Sequence, residues 1–433
     1  MTIQELYNIY IKHPIVTTDS RSCPKESIFF ALKGESFDGN QFAWKALEQG
    51  CSYAVVDNPS VAISKQYILV DDVLKTMQAL ANYHRQQFKK PVIQVTGTNG
   101  KTTTKELLTT VLSQKYNVLS TIGNLNNHIG VPKTLLRLSE EHDIAVIETG
   151  ANHPGEISFL CNIVEPDCGL ITNVGTAHLL GFGSFEGVVK TKGELYDYLR
   201  NKPSGFIFIN ANNPHLMNIA NGLKIIKYGY DDDCEVKGEV IECNPFVKIK
   251  WKAKGNEHIV QTHLVGAYNL DNMLAAAMVG IYFGVSEEQI STALADYTPS
   301  NNRSELRKTE YNQLIIDAYN ANPTSMNAAL ENFSFINAER KMVILGEMLE
   351  LGDSSDIEHE KVIRKLMDMQ LDEVWLVGKN FKKALNKFHN IPFKSFENVE
   401  EVKQRLIEKK VIDSYILIKG SNGTRLFMLP EYL

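Results

Sequence analysis

The chain has 433 residues, 43% of them hydrophobic and 22% charged, with a formal charge of −6. A chain of this length exceeds one ordinary core, so two or three domains are expected, each with ample apolar material. The composition excludes intrinsic disorder, and the acidic balance leaves no broad basic footprint for sequence-independent binding of nucleic acid.

The opening MTIQELYNIY places acid and polar groups where a secretory signal needs a basic start and an apolar middle. No run reaches the ~18 apolar residues of a membrane span, so a cytoplasmic protein without one is expected. Cys23, Cys51, Cys161, Cys168, Cys234 and Cys243 form no C-x-x-C pair, which favours reduced thiols over zinc sites or disulfides.

Residues 1–85 read as a small α/β unit: a helical start, the turn TTDSR, the strand SIFFAL, the turn KGESFDGNQF, the helix WKALEQG and the strand SYAVVD. In TDSR, Asp19, Ser20 and Arg21 can offer acceptors and a guanidinium to a nucleotide, although such a string is also an ordinary turn. DDVLKTMQALANYHRQQFKKP has helical spacing and ends at Pro91, which makes it a connector into the next domain.

The apolar run Val92 to Val95 then turns through GTNGKTTT, Gly97 to Thr104, into the helical pattern KELLTTVLSQKY. A strand that passes through glycines into a helix aims several backbone N–H groups and the positive helix end at one point, where polyphosphate fits. Lys101 would reach the outer phosphates and the Thr102 hydroxyl would hold Mg²⁺, with Gly97, Thr98, Asn99, Gly100 and Thr103 completing the loop. The loop is shorter than G-x-x-x-x-G-K-[ST], which asks for glycine where Val95 stands.

Strands recur between helices as YNVLST, DIAVIETG, CGLITNVG and GFIFIN, implying a mainly parallel sheet with ligands at the carboxyl ends of its strands. Four apolar residues, Ile144 to Ile147, end in Glu148, well placed to hold Mg²⁺ near a phosphate loop or else to form a strand-end salt bridge. His178, in the turn GTAHLLGFGS, lies on the same edge, where neutral imidazole can ligate a metal. NLNNHIGVP offers Asn126 and Asn127 to sugar or peptide groups, a role that turn chemistry rivals. Lys192, in SFEGVVKTKGELYDYL, reads by spacing alone as one solvated lysine on an amphipathic helix.

From about Lys227 to Val265 a polar, alternating stretch reads as antiparallel strands, followed by the helix GAYNLDNMLAAAMVGIYFGV. YTPSNNRSE marks a second boundary. Beyond it the α/β alternation resumes with LIIDAYN, KMVILGEM, EVWLVGK and YILIKGS as strands. Asp317, Tyr319, Asn320 and Asn322 crowd the carboxyl end of the first of them.

TGTNGKTTT resembles the ATP loop of the Mur ligase family, whose wider superfamily includes folylpolyglutamate synthetase. Seven strings in order, FFALKGESFDGNQF, GNLNNHIGVPKTLL, ETGANHPGEI, TNVGTAHLLGFGS, KTKGELYDYL, DAYNANPTSM and LGEMLELGDSS, are similar to those of its branch acting on UDP-N-acetylmuramoyl-tripeptide and D-alanyl-D-alanine. The string DNPR, expected of the diamino-acid-adding branch, is missing from the last domain.

The resemblance implies three α/β domains: 1–85 for a UDP-sugar, a central P-loop domain 86–298 with a mainly parallel sheet for ATP, and a mobile, Rossmann-like 299–433 for the incoming dipeptide. It implies a monomeric ligase making ADP and phosphate through an acyl phosphate, with ATP and two Mg²⁺. Ser20 and Arg21 would hold the UDP-sugar; Glu148 and His178 would be magnesium-site residues. Lys192 matches a lysine that the family carbamylates with CO₂ to bind a second Mg²⁺. Asn269 matches a position near the adenine and Arg303 an arginine that meets nucleotide phosphate, with Asp317 also on the nucleotide and Asn320 and Asn322 on the substrate side. This chain has Asn302 where the family commonly has glycine, and Tyr268 where it has histidine. Rival readings are another Mur-type or folate-glutamylating ligase, and a nucleotide-dependent binding protein that ligates nothing.

Overall fold

The computed structural model describes residues 1–300 and 302–433; Asn301, inside the boundary run YTPSNNRSE, lies outside the described residues. Among the described residues the main strands form three sheets, of four, nine and six strands, each flanked by helices.

The first sheet pairs Val16–Thr17, Ile28–Phe30, Tyr53–Val56 and Tyr67–Leu69 in parallel and in chain order. The helix Val73–Gln87 does more than connect. Its Met77 and Leu80 join Leu6, Ile28 and Phe30 of the N-terminal domain to Val92, Ala145 and Leu160 of the central one in one apolar cluster. Arg85, 6% exposed, donates to the carbonyls of Phe88, Val164 and Glu165 and to Asp167 at 2.7–3.1 Å. Four acceptors around a buried guanidinium fix the helix against the central domain.

The nine-stranded sheet runs, edge to edge, through Asn256–Val265, Phe246–Ala253, Val236–Cys243, Lys224–Gly229, Phe206–Asn210, Cys168–Ile171, Val92–Thr96, Ile144–Glu148 and Val118–Ser120. Val92–Thr96 is buried at every residue between two parallel neighbours, as its β-branched sequence between helical layers requires. Successive strands are laid down on both sides of it. This makes its carboxyl end a crevice in the sheet edge, with Val95 opposite Glu148 and Thr96 opposite Ile171.

One expectation needs correcting: Lys227 lies in Lys224–Gly229, which pairs parallel with Phe206–Asn210, and antiparallel pairing begins only at Val236–Cys243. Alternating burial identifies a strand's faces but carries no information about the direction of its neighbour.

The third sheet orders Glu305–Lys308, Asn312–Asp317, Ser414–Lys419, Lys341–Gly346, Glu373–Val377 and Lys394–Phe396, parallel except for the first pair. Its carboxyl edge faces that of the central sheet. Asn322 Nδ2 donates to Asn99 Oδ1 at 2.8 Å, and Thr176 N donates to Thr324 Oγ1 at 3.2 Å.

Candidate active site

The phosphate loop follows from two glycines. Gly97 has φ +144°, and a Cβ there would lie 2.1 Å from Thr172 Oγ1; Gly100, φ +76°, is the N-cap of the helix Lys101–Leu112, and its Cβ would lie 2.6 Å from Asn272 Oδ1. Only glycine accepts both the dihedrals and the crowding. Thr172 Oγ1 donates to Asn99 O at 2.6 Å and Asn173 Oδ1 accepts from Asn99 N at 3.0 Å, so the neighbouring strand holds the loop from below.

This loop floors a cavity of about 500 Å³, into which face Thr98, Asn99, Gly100, Lys101, Thr102, Thr103, Asn126, Asn127, Glu148, His178, Asn269, Arg303, Asp317 and Asn320. Lys101 Nζ donates to the carbonyls of Gly97 and Thr98, both at 2.8 Å. Burial pulls its pKa down to about 8, with Arg303 adding to the pull and Glu148 opposing it.

Glu148 is fully buried. Its Oε1 accepts from Asn126 Nδ2 at 2.7 Å, while Oε2 has no hydrogen-bond partner among the described residues. Thr102 Oγ1 is equally buried and equally unpartnered. Two oxygens left bare in one cavity are costly unless a cation meets them. They suit Mg²⁺, which takes few protein oxygens and fills its octahedron with phosphate and water. Among the described residues no three His, Cys, Asp or Glu side chains cluster as an all-protein metal cage.

His178 caps the short helix Leu179–Phe182 at φ +51°. Burial lowers its pKa, Glu350 opposes this, and Lys101 and Lys192 add to the lowering, which favours the neutral ring. Lys192 overturns the solvated reading: it is 2% exposed, on the inner face of the helix Phe185–Arg200. Its Nζ donates to Ala151 O at 3.0 Å and sits over the Phe182 ring, behind the cavity wall that Ala151 lines. Burial first, then Lys101, drives its pKa well down, favouring the free amine.

The amides divide by occupation. Asn127 Oδ1 accepts from the N–H groups of Ile129 and Gly130 and so is committed to starting a helix, whereas Asn126 is committed to Glu148. Asn322 caps the helix Pro323–Ser334 and meets Asn99 beside the cavity. Asn269 accepts from Asn272 Nδ2 at 2.9 Å, and Asn272 accepts from Thr104, which locks the helix Asn269–Tyr282 to the phosphate-loop helix. Ser20 and Arg21 stand apart on the N-terminal domain, where Arg21 makes a two-point contact with Asp19.

Asn302 adopts φ +56°, the left-handed conformation that a glycine would supply, and asparagine tolerates it. The turn is kept, and the Arg303 guanidinium lies 3.7 Å from the centre of the Tyr319 ring. Tyr268 shares a 2.6 Å hydrogen bond with Ser304 at the cavity rim.

Two groups escaped sequence reasoning, one lining the cavity and one contacting His178, which lines it. Lys419, 1% exposed, ends the apolar strand Ser414–Lys419 and pairs with Asp317 at 2.5 Å. Four apolar residues closed by a charge is the signal that marked Glu148, and it marks Lys419 equally. Glu350, which contacts His178, lies in a loop with no such signal.

Fold and site together define a three-part phosphate-loop nucleotide-binding protein. Three family descriptions match in order: the Mur ligase family catalytic domain at residues 13–99, the Mur ligase middle domain at 95–280 and the Mur ligase glutamate ligase domain at 302–422. The chain belongs to the Mur ligase family. It is 35% identical over 420 residues to the UDP-N-acetylmuramoyl-tripeptide–D-alanyl-D-alanine ligase of Bacillus subtilis (strain 168), covering 95% of this chain and 91% of that one. The crystal structure of MurF from Acinetobacter baumannii superposes with a TM-score of 0.88 at 32% identity, over 99% and 98% of the two chains. The MurF ligase from Thermotoga maritima in complex with ADP gives 0.85 at 25%, over 98% and 97%.

Proposed function

We propose that this chain is an ATP-dependent amide ligase joining D-alanyl-D-alanine to UDP-N-acetylmuramoyl-tripeptide in peptidoglycan precursor synthesis. One observation carries the reading: the phosphate loop, the half-bare Glu148 carboxylate and the Arg303, Asp317 and Lys419 wall of the C-terminal sheet line a single cavity. Full-length likeness to ligases of that name supports the choice of substrates.

A carboxylate and an amine do not condense at neutral pH because the departing oxide is too basic. The terminal carboxylate of the tripeptide attacks the γ-phosphorus of ATP, the bond to the bridging oxygen of ADP breaks, and an acyl phosphate results. The amine of D-alanyl-D-alanine then attacks that carbonyl, loses a proton and expels phosphate.

The first step brings two anions together, so the protein's work is alignment and charge. Lys101 turns from the Gly97 and Thr98 carbonyls to the phosphates, whose negative charge restores its full protonation. The loop N–H groups and the positive end of the helix Lys101–Leu112 hold the same oxygens. Alignment of this kind can lower a barrier by roughly 7 to 11 kcal/mol. Arg303 and Asp317 face the nucleotide, Asn269 the adenine side, and Asn320 and Asn322 the dipeptide.

Thr102 and Glu148 would hold one Mg²⁺, and His178 with Lys192 a second. Bound there, the ions would neutralise phosphate charge and polarise the P–O bonds. At Lys192 the neutral amine nitrogen bonds to the carbon of CO₂ and sheds a proton, so that a buried cation becomes a carbamate anion. Ser20 and Arg21 hold the UDP-sugar on the N-terminal domain. The enzyme acts as a monomer in the cytoplasm, where ATP is made and where its six free cysteines stay reduced.

The test is incubation with ATP, Mg²⁺, UDP-N-acetylmuramoyl-tripeptide and D-alanyl-D-alanine, followed by mass measurement of the pentapeptide product. ADP release that needs both co-substrates is expected. Slow hydrolysis indifferent to them would instead mark a nucleotide-binding protein that ligates nothing.

A further inference from the structure

Glu350 stands in the turn after the strand Lys341–Gly346 and reaches out of the C-terminal domain: its Oε2 accepts a hydrogen bond from His178 Nδ1, and its carbonyl accepts from Leu180 N at 3.4 Å. Both partners hold left-handed backbones, φ +51° at His178 and φ +64° at Glu350, which non-glycine residues keep only where their surroundings impose it.

The turn is braced from behind. Met348 N–H donates to Nε2 of the buried His359 at 3.0 Å, His359 Nδ1 donates to Ser355 O at 2.7 Å, and Leu349 N–H donates to Ser421 Oγ at 3.0 Å. On the central side Leu180 lies against Gly352 of the same turn. Glu350 is therefore delivered to His178 by a fixed scaffold.

An imidazole whose Nδ1–H is held by a carboxylate carries its lone pair on Nε2, and that nitrogen has no hydrogen-bond partner among the described residues. We propose that Glu350 is a positioning residue: it fixes His178 with Nε2 bare in the cavity, and because it arrives from the C-terminal domain it makes the seating of that domain a condition for a complete cation site. The inference rests on the reading of His178 as a cation-site residue. By linkage, whatever factor domain seating adds to cation affinity, the cation with nucleotide adds to seating.

The test uses the full chain with Mn²⁺ and a non-hydrolysable ATP analogue, measuring bound Mn²⁺ by electron paramagnetic resonance, the His178 tautomer by ¹⁵N NMR and domain closure by small-angle X-ray scattering. Glu350→Ala is expected to weaken Mn²⁺ by about 10- to 100-fold, the usual effect of removing a partner that orients a ligand. It should also release the tautomer and abolish the Mn²⁺-driven compaction. Glu350→Gln, whose amide oxygen still accepts from Nδ1–H, should restore the tautomer and most of the affinity, which a merely structural role at this position would not produce.

If Glu350→Ala keeps wild-type Mn²⁺ affinity and tautomer while His178→Ala loses Mn²⁺, the positioning role is overturned and the cation site stands. If His178→Ala binds Mn²⁺ normally, the cation-site reading itself falls and the proposal with it.

Discussion

Thr102 Oγ1 and Glu148 Oε2 are both fully buried in the wall of one cavity, and neither has a hydrogen-bond partner among the described residues. Neither oxygen contributes a hydrogen bond to the fold, so removing one is nearly free to the empty protein and expensive to the loaded one. We expect Thr102→Val to change the stability of the ligand-free chain by less than about 1 kcal/mol. The wild type gains about 2.7 kcal/mol when MgATP stands at about 100 times its Kd, and most of that gain should vanish in the variant. Thermal melts with and without MgATP check this; an unchanged ligand-induced shift would remove Thr102 from the cation site.

Gly97→Ala tests the loop. The new methyl would lie 2.1 Å from Thr172 Oγ1 at a φ of +144°, displacing the hydroxyl that donates to Asn99 O. A loss of about 1–3 kcal/mol of stability is expected from the backbone alone, with nucleotide binding lost as well. Urea unfolding and equilibrium binding of ADP report the two effects separately. A variant binding ADP as tightly as wild type would show that the loop does not need this shape.

Lys192 should be replaceable only by a group that can become or already be an anion. Lys192→Ala is expected to lower turnover by at least about 100-fold, the upper end of the usual penalty for losing a metal-site partner. Lys192→Glu should recover part of the loss without bicarbonate. Incubation with ¹³C-bicarbonate should give a carbamate carbon resonance in the wild type that is missing from Lys192→Ala. Full activity of the alanine variant would end the carbamate proposal.

Acidification should destabilise the chain through His359. Burial, against the opposing pull of Ser355, Glu347, Asp356 and Glu358, lowers its pKa below the ordinary 6.5. Below that value the unfolded chain takes up more protons than the folded one, so stability is full above pH 6.5 and declines as pH falls. Chemical denaturation from pH 7.5 to 5.5 should show the decline, and His359→Gln should flatten it. An equal slope in the variant would place the sensitivity elsewhere, for instance at His84, which burial also holds low.

Much of the site was legible because its chemistry is local. GTNGKTTT needs only consecutive residues to become a phosphate loop, and an apolar run closed by Glu148 needs only a buried strand to place a carboxylate at its end. The burial of Lys192, which the family resemblance singled out, was illegible in its spacing for the opposite reason. Helical spacing gives a side chain its face, but whether that face meets water depends on the packing of Leu179–Phe182 and Ala151 around it. The pairing of Lys224–Gly229 failed in the same way, since strand direction is settled by a neighbour 18 residues away, Lys227 against Ile209. Glu350 had no local signal at all: His178 lies 172 residues before it in the chain.

The seam between central and C-terminal domains holds the partly exposed His178–Glu350 pair and uncharged hydrogen bonds, Asn99 to Asn322 and Thr176 to Thr324, the latter each contributing on the order of 1 kcal/mol. Fastenings of that size would let the domains part on the microsecond-to-millisecond scale usual for domain motion. A finished product behind them would then leave without the fold loosening anywhere else. A more tenacious clasp there, such as a buried ion pair, would shelter the reactive acyl phosphate equally well and then hold the product in.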